Sequence, residues 1–172
     1  MRKENSDKIN YLVPVLFAVY MVLLVWIILF KLQFSITDLD TIRGINLIPF
    51  HYDNEVNDIF HLKEILENVL IFVPFGIYLC MLKHEPSFKV KFMLVLSFSL
   101  ILEISQYLLA VGRTDITDLI TNTCGGMIGI ALYWLAVKIF RTKRRTTLII
   151  TVFAAVSTIA MVGILALLLF LN

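Results

Sequence analysis

Glu103 is the one carboxylate in the apolar stretch Phe88–Val111, and Gln106 follows it at i+3, on the same face of a helix. A short connection, Val111-Gly112-Arg113-Thr114-Asp115, leads into a second apolar stretch. That stretch opens with Asp115, Asp118 and Asn122 at i, i+3 and i+7, again one helical face. Asn68 begins a further apolar run. An ionisable side chain in such a run costs roughly 2.5–3.5 kcal/mol on insertion scales, so each needs a physical reason to be there. Two kinds of chemistry suit this set. Glu103 with Asp118 or Asp115 could exchange protons as general acid and base, with Arg113 stabilising a developing anion. Alternatively, the carboxylates, amides and guanidinium could hold a polar head group without reacting with it.

The elements that must position these residues are membrane spans. Of the 172 residues, 59% are hydrophobic and only 16% are charged, with a mean hydropathy of +0.88. Soluble domains hold about 25% charged residues. This composition excludes a disordered chain, a nucleic-acid-binding arm and a disulfide-stapled secreted module. About 20 apolar residues cross a bilayer, and five runs are candidates: Tyr11–Phe30, Asn68–Leu82, Phe88–Val111, Ile116–Phe140 and Thr147–Leu171. The first is longer than the core of a signal peptide and lacks a small-residue cleavage site, so it reads as a retained span. Before the second, Val56, Ile59, Phe60, Leu62, Ile65, Leu66 and Val69 recur at helical spacing. They predict a helix lying on the membrane surface and bending into the span. The expected fold is an all-α polytopic bundle of five transmembrane helices, forming a single membrane domain over residues 1–172.

Lys and Arg collect on the cytoplasmic side of membrane proteins. With the N-terminus inside, eleven of the 15 basic residues fall inside; Lys31, Arg43, Lys63 and Arg113 fall outside. Of the 13 acidic residues only Glu4, Asp7 and Glu85 lie inside. The expected topology is N-terminus in and C-terminus out. Glu103 then lies ~12 Å below the outer surface at 1.5 Å per residue. One arginine, three acids and three amides would form a polar pocket open to the outer leaflet.

Plainer roles compete with this one. Asp115 or Thr114 could cap the following helix, Asp118 would gain from its dipole, and Glu103 could pair with Arg113. Gly125-Gly126-Met127-Ile128-Gly129 reads as close helix packing. Pro74 and Gly76 would kink or interrupt the second span. His51, Asp53, His61 and Glu64 match no metal-ligand spacing. Cys80 and Cys124 are predicted at different depths, which disfavours a disulfide. The cluster Arg141–Arg145 reads as a topology anchor that can touch anionic lipid. No phosphate loop, nucleophile elbow or Cys/His set is present, and no metal or cofactor is expected.

Four strings in order resemble the VanZ-like family: Asn46-Leu47-Ile48-Pro49-Phe50, Asn68 to Gly76 (NVLIFVPFG), Glu103-x-x-Gln106, and Gly112-Arg113-x-Asp115-x-x-Asp118-x-x-x-Asn122-x-x-Gly125. The resemblance covers about residues 40–140. It implies a bacterial cell-envelope membrane protein whose relatives include one associated with resistance to the glycopeptide teicoplanin. It also adds Asn46 to the candidate ligand-binding set of Asn68, Glu103, Gln106, Arg113, Asp115, Asp118 and Asn122. The expected partner is a membrane lipid or lipid-linked cell-wall precursor, or the acylated antibiotic. The favoured expectation is a binding protein whose pocket takes a phosphate or sugar head group while the tail lies against the spans. Its competitor is an enzyme modifying a lipid head group, and a transporter is a third option that no visible repeat supports.

Overall fold

The computed structural model describes residues 2–30, 42–50 and 58–171. Helix α1 spans Arg2–Phe30, α2 Asp58–Met81, α3 Phe88–Leu109, α4 Ile116–Phe140 and α5 Lys143–Leu171; strands β1 (Ile42–Asn46) and β2 (Val111–Asp115) complete the order α1-β1-α2-α3-β2-α4-α5. All five helices are long and apolar enough to cross a membrane. A segment in hydrocarbon must satisfy its backbone internally, and these uninterrupted apolar sequences do so as helices.

Helix α2 differs from its expected form. It runs unbroken from Asp58 to Met81 with Pro74 inside it, so the amphipathic residues from Ile59 onward are its first turns; Val56 lies outside the described residues. Pro74 cannot donate a backbone hydrogen bond and loosens the preceding turn. The Tyr20 hydroxyl donates to the Ile71 carbonyl in that turn at 2.7 Å, tying α1 to α2 there.

The tightest seam joins α2 to α4. A Cβ on Gly125 would collide with the Val69 carbonyl oxygen, one on Gly129 with that of Val73, and one on Gly76 with that of Gly126. The two backbones therefore touch, and the expected small-residue packing is found. Around this seam two apolar cores form. One joins Val13 and Leu16 of α1 to Tyr78, Ile130 and Tyr133; the other joins Leu24 to Phe72, Phe75, Val95 and Leu102. The Phe17, Phe75 and Tyr78 rings pack between them, with centroids 5.3–5.6 Å from Phe17. Helix α5 is the least enclosed, with Phe153, Ile159 and Phe170 largely exposed. Between α1, α2 and α5 lies an apolar groove of about 360 Å³ lined by Tyr20, Leu24, Ile71, Pro74, Phe153 and Ser157 among others.

The last residue of α3 is followed by Ala110 at φ 57°, whose N–H reaches back to the Gln106 and Tyr107 carbonyls. This left-handed cap stops α3 at Leu109, short of the Val111 expected from hydropathy. The chain then enters β2, which pairs in parallel with β1: Ile42 opposes Val111, Gly44 opposes Arg113 and Asn46 opposes Asp115. This two-stranded ribbon defines one end of the bundle.

At the other end, between α2 and α3, Glu85 accepts hydrogen bonds from the Lys91 and Lys143 ammonium groups. Lys91 also reaches the Cys80 sulfur at 3.2 Å, and Lys143 lies 4.5 Å from the Trp134 ring centroid. Burial alone would raise the Glu85 carboxyl, but the Lys143 and Lys91 hydrogen bonds hold it below its ordinary value. Cys80 and Cys124 are both free.

Two predictions follow from these packings. Leucine at Gly129 must separate the α2 and α4 backbones, at or above the upper end of the roughly 1–3 kcal/mol typical of overpacking. Gly129→Leu should lower the unfolding midpoint in detergent far more than leucine at Gly163, whose Cβ would meet nothing. Glu85→Gln leaves the buried Lys91 charge uncompensated, at on the order of 3 kcal/mol. A carboxyl with a lowered folded-state pKa stabilises above its unfolded value and loses that contribution as pH falls through the folded value. The gap between wild type and Glu85→Gln should therefore be full at pH 7 and close as pH falls below about 4.

Candidate functional site

The ribbon holds the polar residues of three helices together. Asp115 ends β2 and is the N-cap of α4: its Oδ1 accepts from the Thr117 N–H at 2.7 Å. Its other oxygen, Oδ2, accepts from Asn46 Nδ2 at 2.9 Å, so the capping role and a site role coexist in one side chain. The Asp115 N–H donates to Glu103 Oε2 at 2.9 Å, and the Thr114 hydroxyl donates to the Glu103 carbonyl at the same distance. Glu103 is 2% exposed. The carboxylate at depth in α3 is thus met by the backbone of the incoming strand.

Residues 46–50 dock onto the start of α4. Asn46 Oδ1 accepts from the Ile48 N–H, forming a tight side-chain turn. The chain then turns through Phe50 at φ 55°, and the Phe50 N–H donates to the Thr117 hydroxyl at 3.0 Å. Leu47, Ile48 and Phe50 remain exposed.

One turn into α4, Asp118 accepts from Asn68 Nδ2 of α2 at 2.7 Å. A further turn along, Asn122 is 2% exposed and its Nδ2 donates to Ser99 of α3 at 3.1 Å. Gln106 donates from Nε2 to the Ile28 carbonyl of α1 at 3.2 Å, under Gly112. Arg113 projects outward from β2, its side chain crossing Gly44 of the neighbouring strand. A Cβ on Gly44 would stand 3.1 Å from Arg113 Cγ and 3.2 Å from Nε.

All eight candidate residues therefore lie at the ribbon end. Asn46, Glu103 and Asp115 form one network; Asn68 and Asp118 form a pair beside it; Gln106 and Asn122 lie buried beneath. Ser99, Thr114 and Thr117 also take part: Thr114, weighed above as a cap, instead donates to the Glu103 carbonyl, and Ser99 and Thr117 carried no signal among the many hydroxyls in the sequence. His51 and Asp53, weighed as metal ligands, lie outside the described residues. Among the described residues no three His, Cys, Asp or Glu side chains are grouped to hold a metal.

These features define a class: a protein whose described residues hold five helices long and apolar enough to cross a membrane, with a carboxylate–amide cluster pinned by a strand ribbon at one end. Comparison places it more closely. The VanZ/LLP1 family pattern matches residues 17–141, and the chain belongs to that family. It is 42% identical over 139 residues to Protein VanZ of Enterococcus faecium, covering 80% of this chain and 83% of that protein. No solved structure matches.

Asp115→Ala should free both the α4 terminus and Asn46, costing about 1–2 kcal/mol for the cap. Hydrogen exchange should rise over residues 42–50 while the centres of α2 and α4 stay protected. Equal protection of residues 42–50 in Asp115→Ala and wild type would show that the ribbon does not depend on this side chain.

Proposed function

We propose that the ribbon end faces the outer leaflet of a bacterial cell membrane, and that the protein binds a lipid-linked or lipidated amphiphile there. Such binding would contribute to tolerance of teicoplanin-type glycopeptides. The observation that carries the reading is the convergence of Glu103, Asp115, Asp118, Asn46 and Asn68 at one end of an apolar bundle. Polar groups at membrane depth mark binding sites more often than structural ones. The outward orientation rests on the basic residues, which gather at the opposite end around Lys83, Lys89, Lys138 and Arg141–Arg145. The similarity to Protein VanZ supports the resistance role.

The groove between α1, α2 and α5 supports the amphiphile. Its lining is apolar, and Ile71 stands one helical turn from Asn68. A tail in the groove and a head group at the ribbon end would thus belong to one molecule.

In a susceptible bacterial host, expression of the protein should raise the minimum inhibitory concentration of teicoplanin. Asp118→Ala and Arg113→Ala should abolish the increase while immunoblots show wild-type membrane levels. Unchanged tolerance in both variants at normal expression would overturn the reading. Recovering lipid with an altered mass from purified protein would instead favour an enzyme with Glu103 and Asp118 as acid and base.

A further inference from the structure

We infer that the head group taken by this site is one that brings hydrogen-bond donors, the hydroxyls of a sugar or an ammonium, and not a bare phosphate. The inference rests on the proposed binding role and narrows its ligand.

It follows from which polar atoms the protein has already used. The amide nitrogens of Asn46, Asn68, Asn122 and Gln106 are each directed at a protein acceptor: Asp115, Asp118, Ser99 and the Ile28 carbonyl. The Thr114 hydroxyl and the Asp115 and Thr117 N–H groups are likewise engaged within the network. Beneath the ribbon the buried oxygen left unpartnered is an acceptor, that of Gln106. Gln106 Oε1 is buried without a hydrogen-bond partner in a side chain 9% exposed, and one end of the 2% exposed Asn122 amide is likewise unpartnered, its other end meeting the Ser99 hydroxyl, which can donate or accept. For Gln106 the assignment of oxygen and nitrogen is fixed by chemistry, because its other end meets a backbone carbonyl that can only accept.

These two atoms lie beside the carboxylates. Gln106 is three residues from Glu103 on α3 and sits beneath Gly112. Asn122 is four residues from Asp118 on α4 and bridges to Ser99, four residues from Glu103 on α3. A buried acceptor without a donor carries its full desolvation cost, which a ligand hydroxyl or ammonium would relieve. A bare phosphate offers only more acceptors to the open Gln106 oxygen and relieves nothing.

The test uses purified protein in nanodiscs, loaded with equal amounts of three dioleoyl lipids that differ in head group: a glucosyl diacylglycerol, a primary amine and phosphatidic acid. Lipid held by the protein is quantified by mass spectrometry. The glucosyl lipid, the amine or both should be retained roughly ten-fold over phosphatidic acid, the factor expected for one relieved buried acceptor. The arm that dominates distinguishes hydroxyl from ammonium. Gln106→Leu and Asn122→Leu should bring the ratio toward one, whereas Gln106→Glu, which keeps an acceptor in place, should preserve it. Phosphatidic acid retained equally or better by wild type would overturn the donor inference and leave the binding role intact. So would a preference unchanged in both leucine variants. Retention that is the same for every head group and unaffected by Asp118→Ala would overturn the binding role itself.

Discussion

The contact on which the rest of the structure depends is the backbone-to-backbone seam of α2 and α4. Gly125 and Gly129 admit the Val69 and Val73 carbonyls, and Gly76 admits that of Gly126. In an apolar solvent no hydrophobic force draws helices together, so close van der Waals approach must do it. The seam has a consequence at the site. With α2 fixed against α4, Asn68 comes within 2.7 Å of Asp118 across it. Larger residues at the three glycines would widen the helix separation, and the pair could not meet directly.

The second constraint is the ribbon, which answers the problem of a carboxylate buried in α3. Glu103 is reached by the N–H of Asp115 and, at its carbonyl, by the Thr114 hydroxyl. Those donors arrive because β2 leaves α3 through the left-handed Ala110 and runs back along it before α4 begins. Pairing with β1 then satisfies one edge of the strand's backbone and delivers Asn46 to Asp115. Gly44 belongs to the same arrangement, since its missing side chain is the space that Arg113 crosses.

The five described helices, and the polar residues that converge at the ribbon end, were legible in the sequence because both depend on contrasts that survive averaging. Apolar runs of about 20 residues stand out against charged loops, and Glu103 stands out against its own run. The Gly125–Gly129 side of the seam was legible as a small-residue pattern, whereas Gly76, read with Pro74 as an interruption, proves to be a contact with the Gly126 carbonyl. The ribbon was not. Ile42–Asn46 and Val111–Asp115 are five residues each and 69 apart, with no alternation to distinguish strand from loop. Parallel pairing across two intervening helices leaves no local trace. The continuous α2 was not legible because the amphipathic residues before Asn68 read as a separate surface helix and Pro74 as a break, whereas the two segments form one helix and Tyr20 supplies a hydrogen bond in the turn that the proline loosens. The Glu85–Lys91–Lys143 group was hidden among loop charges that otherwise only report topology.

That group and the ribbon-end site occupy opposite ends of one buried stripe on α3, comprising Lys91, Val95, Ser99, Leu102, Glu103 and Gln106. Were the stripe polar throughout, it would offer a path for ions or protons through the bundle. It is interrupted at Val95, which is 0% exposed and packs where Gly126 of α4 lacks a side chain, so close that a Cβ there would stand 2.5 Å from Val95 Cγ1. The polar groups on either side are also of different kinds. Those near the loop between α2 and α3 are closed on one another as ion pairs, with Lys91 bound to both Glu85 and Cys80. Those beneath the ribbon keep an open acceptor at Gln106 and an unpartnered amide end at Asn122. A passage needs continuity and exchangeable groups along its length, whereas a binding site needs unsatisfied groups at one end and a closed floor. Val95 against Gly126 supplies such a floor, a closure that the proposed binding role requires and a passage would not have.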